Sequence, residues 1–239
     1  MNRHLSLVES DFEQLEKMVL PRFPFCYLTF KCQKQDLVFE VKDISYSGMQ
    51  LGLKNGDITL KPQEEIQGSL HWQGKNCDIL GTVKWQREKR VGVEFVFQNK
   101  HENEMTKFLD LNAVAPLMKP LHKMEHGIEV PSNLKYWLRA DGPFEFFGWS
   151  HSNGEVSKFQ IIIMENFIEW EDGKGLKSGR VMSKRDIDTP LLSEDEFVFK
   201  IDSHIDMDKL FLAQKLLDKI DQEKLPQEYL DFLEMKLRA

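Results

Sequence analysis

Between residues 25 and 97 the chain carries six strand-length apolar runs, at 25–30, 37–41, 49–53, 69–72, 77–85 and 91–97. Several alternate with the two-residue period of a half-buried strand. Turn-forming clusters separate them, among them Lys54-Asn55-Gly56-Asp57, Gln73-Gly74-Lys75-Asn76 and Arg87-Glu88-Lys89-Arg90. Six short strands without helical interruption predict a small, closed or nearly closed antiparallel barrel. Helical spacing flanks it on both sides. Ser10-Asp11-Phe12-Glu13 reads as a capping box, and Phe12, Leu15, Met18 and Val19 follow at helical intervals. An amphipathic helix is expected to run to about Leu20, where Pro21 stops it. A second helix is expected from Asn99-Lys100-His101-Glu102, with Met105, Phe108, Leu109 and Leu111 as its apolar stripe.

The pattern changes after residue 113, where Pro116, Pro120 and Pro131 interrupt any long element. Beyond them, residues 136–140, 144–149, 159–164, 167–170 and 196–201 read as strands, with Asp141-Gly142 and Ser152-Asn153-Gly154 as hairpin turns. The end of the chain is helical. Leu210, Phe211, Ala213, Leu216, Leu217 and Ile220 fit one amphipathic helix, and Tyr229, Leu230, Phe232, Leu233 and Leu237 fit another after Pro226. The fold expected is mainly β, a six-stranded barrel with flanking helices followed by an α+β unit ending in two helices. The domain reading is a helical region at 1–16, the barrel at 17–115, a linker at 116–131 and the α+β domain at 132–239.

Composition narrows the function. With 41% hydrophobic and 30% charged residues, the 239-residue chain can bury a core, and its net charge of −7 argues against a general nucleic-acid surface. The charge is uneven. Residues 17–115 hold 14 Lys and Arg against 12 Asp and Glu, a surplus of two, which leaves −9 for the rest. No apolar run approaches the roughly 18 residues of a membrane span. Met1-Asn2-Arg3-His4 leads into no signal core, so a cytoplasmic protein is expected. Cys26, Cys32 and Cys77 lack the spacing of a disulfide framework and read as reduced. No phosphate loop, nucleophile elbow or paired-cysteine motif is present, so no enzyme and no cofactor are expected. His122 and His126 stand at i, i+4 but lack a third ligand, so no metal site is assigned. Asp202, Asp206 and Asp208 lack the spacing of a calcium loop and read as helix caps and dipole partners.

One stretch carries candidate chemistry. Asp43-Ile44-Ser45-Tyr46-Ser47-Gly48 lies between two alternating runs and forms a corner in which Asp43 and Ser45 can accept hydrogen bonds. Gly48 permits a positive φ or a close approach by something flat. The same three residues are what the corner itself needs. Together with Pro21-Arg22-Phe23-Pro24-Phe25 before it, and Gly81-Thr82-Val83-Lys84-Trp85 and Val91-Gly92-Val93-Glu94-Phe95 after it, this stretch resembles the PilZ domain over roughly residues 17–115. PilZ domains are bacterial receptors for cyclic di-GMP.

The resemblance implies that Arg22 stacks on or forks to the ligand, that Asp43 and Ser45 hydrogen-bond a guanine edge, and that Gly48 lets the ring lie against the backbone. It departs from the family at one point. The family's Arg-x-x-x-Arg pair is incomplete, because Met18 stands four residues before Arg22, with Lys17 beside it. Lysine lacks the planar fork of arginine and replaces it poorly. Lys84, Arg87, Lys89 and Arg90 could reach a bound phosphate, although charged hairpin tips are usually only solvated. Two readings follow: an adaptor that senses cyclic di-GMP and signals through its C-terminal domain to an unidentified protein partner, or a degenerate PilZ protein that binds no nucleotide and serves as a protein-interaction module.

Overall fold

The computed structural model describes residues 15–21, 28–34, 37–53, 57–72, 74–96, 104–105, 107–125, 127, 130–140, 144–182 and 194–238. Six strands close into the expected barrel: β2 (Thr29–Cys32), β3 (Val38–Ile44), β4 (Gly48–Gly52), β5 (Glu65–Trp72), β6 (Lys75–Arg87) and β7 (Arg90–Phe95). Their order around the barrel is β2-β3-β4-β7-β6-β5, and β2 closes onto β5 with Thr29 opposite His71 and Cys32 opposite Gly68. All neighbours are antiparallel. Alternation explains the filling. In β5 every second residue is buried, Ile66 and Leu70 completely, and from β4 Met49 and Leu51 join the same core as Phe30, Phe39 and Val83. Cys32 and Cys77 are free and buried, and burial, followed by Glu104 and Asp78, pushes the Cys77 thiol up to about 11. Cys26 lies outside the described residues.

The rest of the β-structure is one open eight-stranded sheet. Its order is β1-β14-β13-β12-β11-β10-β9-β8, built from β1 (Leu15–Pro21), β8 (Lys119–Pro120), β9 (Leu134–Ala140), β10 (Phe144–Ser150), β11 (Val156–Ile163), β12 (Asn166–Glu171), β13 (Gly175–Val181) and β14 (Glu194–Ile201). β1 corrects the helix expected up to Leu20. Residues 15–21 are a strand, antiparallel to β14 with Leu15 opposite Lys200 and Pro21 opposite Glu194. Residues 1–14, with the capping box, lie outside the described residues. A pairing partner nearly 180 residues away satisfies this backbone, and local periodicity cannot anticipate it. β13 was also absent from the strand pattern.

Both faces of its central strands β9 to β12 are buried, and that gives those strands their near-continuous apolar runs. On one face Phe146, Phe159 and Ile161 pack under two helices, α2 (Met207–Leu217) and α3 (Gln227–Leu237). Tyr229 of α3 meets Phe146 edge-on at 6.1 Å. The other face gathers Trp137, Phe147, Ile162, Phe167 and Phe199 around a polar row. In that row Glu169, 0% exposed, is paired by Lys158 at 3.0 Å and Lys177 at 2.9 Å and accepts from Gln160 Nε2 at 3.0 Å. Lys177 also pairs with Glu16 of β1 and so fastens the edge strand to the sheet.

Residues 104–105 and 107–108 are helical, and a four-residue helix, α1 (Leu111–Val114), follows with Asp110 as its cap. Between the barrel and β9 the chain is packed, with Val114, Ala115, Met118 and Leu121 buried, and one contiguous core runs from the barrel into the sheet and its helices. His122 bonds through Nδ1 with the Trp137 backbone at 3.2 Å, and burial holds its pKa below the ordinary value. His126 lies outside the described residues, and among those described no group of three His, Cys, Asp or Glu could hold a metal ion. Asp206 caps α2 by accepting from the amides of Asp208 and Lys209. Among the described residues no helix is long and apolar enough to cross a membrane.

Candidate functional site

The corner between β3 and β4 is held by Ser45. Its amide donates to Gly48 O at 2.8 Å, and its Oγ accepts from Gly48 N at 3.1 Å and Ser47 N at 3.3 Å. The same hydroxyl lies 3.3 Å from Gly48 O. Ser45 is thus the keystone of the bend, as a small hydroxyl residue in a turn commonly is. Gly48 is needed for close approach. A Cβ there would stand 2.4 Å from Val93 O, so only glycine lets β4 lie this tightly on β7.

Upstream, the β3–β4 register slips between Val41 and Asp43, a bulge that sets Asp43 opposite Gln50. The Asp43 side chain lies outside what the structure describes. So do Arg22 altogether and the side chains of Lys17 and Met18, whose backbones sit in β1 opposite Val198 and Phe197. Ser45 and Gly48 are therefore brought together at the corner.

A cleft of about 250 Å³ opens on this corner and continues over β4, β7 and β6. Its walls include residues that the sequence motif did not single out. Gln50 and Trp85 both lie opposite Gly92 in the strand register, so the three form one row across the barrel wall. Gly92 has no side chain, and the Trp85 indole occupies that space; a Cβ on Gly92 would be 2.2 Å from Trp85 Nε1. On the other side of Gly92, Gln50 is only 9% exposed, and its Oε1 meets no hydrogen-bond donor among the described residues. Lys84 lines the cleft, ion-paired with Glu94. Arg87 and Lys89 are exposed at the hairpin tip and do not line it.

Two signals could have pointed to these positions. Gln50 is the polar residue between the core residues Met49 and Leu51, which places it on the outer face. Gly92 stands between Val91 and Val93, where glycine weakens a strand unless something needs the space.

The corner has a second side. Tyr46, between Ser45 and Ser47, packs against the common core and lines another cavity of about 500 Å³ with Leu109, Asp110 and, from α2, Leu212 and Lys215. Burial first, then the nearby carboxylates of Glu165 and Asp110, raise the pKa of its hydroxyl, which keeps it protonated and a donor. The loop that forms the cleft therefore also faces, across this cavity, the helix covering the open sheet.

No curated protein matches the chain at a significant level. The C-terminal half matches no family model. Residues 21–110, the barrel together with its corner and cleft, match the PilZ domain model, a family of binding and adaptor domains whose role is cyclic di-GMP signalling.

Proposed function

We propose that the protein is a cyclic di-GMP-responsive adaptor in which the barrel cleft takes one guanine end of the ligand and the open sheet passes the signal to a protein partner. The observation that carries the reading is the cleft itself, which opens on the Ser45–Gly48 corner with the Trp85 indole over Gly92. Its volume of about 250 Å³ is slightly below the roughly 300–1,000 Å³ of pockets that enclose whole small ligands. It fits a nucleobase, with the remainder of the dinucleotide outside. Asp43 and Ser45 would meet the guanine edge, Gly48 would let the ring approach, and Arg22, with Lys17, would come over the ligand from the N-terminal arm.

Signal passage is supported by two physical links. Lys17 lies within β1, which is hydrogen-bonded to β14, so a ligand that draws in this arm pulls on the edge of the open sheet. Tyr46 brings the cleft-forming loop to the wall of the second cavity, which α2 lines from the other side.

A second reading has its own observation. Ser45 and Gly48 already serve the corner, one through hydrogen bonds and the other through its approach to Val93, so the motif would persist in a nucleotide-free interaction module. Isothermal titration of the full chain with cyclic di-GMP, using GMP as control, separates the two. Saturable heat with the dinucleotide supports the receptor; no heat at high micromolar ligand overturns it and leaves the module.

A further inference from the structure

We infer that Gln50 is a specificity-determining residue of the cleft, its side-chain amide oxygen accepting a hydrogen bond from the exocyclic amine of a bound guanine. This rests on the receptor reading above and adds a residue outside the recognised motif.

Strand geometry places the group. β4 turns Met49 and Leu51 into the barrel core, so Gln50 stands on the outer face, in the wall of the cleft. It is opposite Asp43 on one neighbouring strand and Gly92 on the other, between the corner and the Trp85 indole. The indole covers the neighbouring Gly92, and Gln50 is nine-tenths buried although it lies on an outer face. Its Oε1 is buried without a donor among the described residues. Buried polar atoms are nearly always hydrogen-bonded, because an unmade bond in such surroundings forfeits the hydration that the atom had in water. An acceptor held this way in a cleft wall calls for a ligand that brings an N–H.

Guanine brings N–H donors at N1 and at its exocyclic amine, whereas hypoxanthine lacks the amine. A site built to hydrogen-bond a group discriminates strongly against the analogue without it, since the buried partner is then left unpaired. Gln50 therefore makes the cleft a reader of the amine and not only a slot for a flat ring. The neighbouring apolar surface supplies the stacking, and the amide supplies the choice of base.

The test is calorimetric titration of the full chain and of Gln50→Met with cyclic di-GMP and with its inosine counterpart, cyclic di-IMP. Methionine conserves volume and removes the stranded oxygen, so the variant should fold with stability equal to or above that of the parent. Gln50→Asn, which withdraws the amide by one methylene, serves as the second variant. In the parent, cyclic di-GMP should bind about tenfold tighter than cyclic di-IMP, equivalent to about 1.4 kcal/mol. Both variants should lose that preference by weakening cyclic di-GMP about tenfold while barely changing cyclic di-IMP. Equal loss for both ligands, or no loss, overturns the assignment while the receptor reading stands. If the parent binds neither ligand, the assignment and the receptor reading fail together.

Discussion

The barrel and the open sheet are both antiparallel and share one core, yet they manage their surfaces in opposite ways. The barrel closes through β2 on β5, packs its core inside, and leaves its outer wall available. That wall can afford a cleft. The sheet has two edges, β1 and the two-residue β8, and buries both faces of its central strands, one under α2 and α3 and the other around the Glu169 row. Closure frees a surface for binding, whereas an open sheet packed under helices on one side and around an ion-paired row on the other is suited to hold other elements in place. The first region should therefore govern ligand affinity and the second stability and coupling.

The sharpest way to break this division is Phe146→Ala. Phe146 is fully buried under Tyr229, and a large-to-small change of this kind costs about 3–5 kcal/mol. Urea unfolding should show that loss, while cyclic di-GMP affinity of the protein still folded stays unchanged. A parallel drop in affinity would mean that the sheet is part of the site. Next comes Glu169→Ala, which removes the fully buried carboxylate that pairs with both Lys158 and Lys177. Both lysines keep some contact with water, so the expected loss is about 2–3 kcal/mol, below the range for a fully buried pair. It should also loosen β1, which Lys177 holds through Glu16, and amide exchange in residues 15–21 would report this.

Gly92→Ala acts on the barrel in the opposite sense. The added methyl would collide with the Trp85 indole, so the ring must move, at a cost of about 1–2 kcal/mol. Here affinity should fall more than stability does. Calorimetry and thermal unfolding on the same variant would compare them.

The smallest effect concerns pH. Burial would raise the pKa of Asp202, but hydrogen bonds from Lys209 at 2.6 Å and Ser178 at 2.6 Å, with the Lys209 charge, outweigh it and hold the carboxyl below its ordinary 3.8. A lowered folded-state pKa contributes stability above the unfolded value, and that stability disappears as pH falls through the folded one. Asp202→Asn should remove about 0.5–1 kcal/mol at neutral pH and flatten the acid limb of the stability curve below about pH 4. An unchanged acid limb would show that the Asp202–Lys209 contact does not anchor the start of α2.

Much of the barrel was legible because its strands alternate and its turns carry Gly, Asn and Asp, features that act locally. The strands from Leu134 to Glu171 were legible for a different reason, as apolar runs bounded by hairpin turns. Three strands of the same sheet, β1, β13 and the two-residue β8 in the expected linker, were not. Residues 15–21 gain their structure from a distant partner, and Gly175-Leu176-Lys177-Ser178-Gly179-Arg180-Val181 has little apolar pattern because Lys177 and Ser178 bond to Glu169 and Asp202. At the site, Ser45 and Gly48 stood out as turn chemistry. Gln50 and Trp85 did not stand out as a pair, since their alignment across Gly92 comes from the register of three strands, with a slip between Val83 and Trp85.

The central claim is that this row and the adjoining corner form the binding surface. The most direct measurement is a ¹H–¹⁵N titration of the full chain with cyclic di-GMP, following the Gly48 and Gly92 amides and the Trp85 indole N–H. All three signals should shift together and saturate, with the amides of β1 and Tyr46 responding in the same concentration range. Saturable shifts elsewhere that leave these three unmoved would contradict the claim.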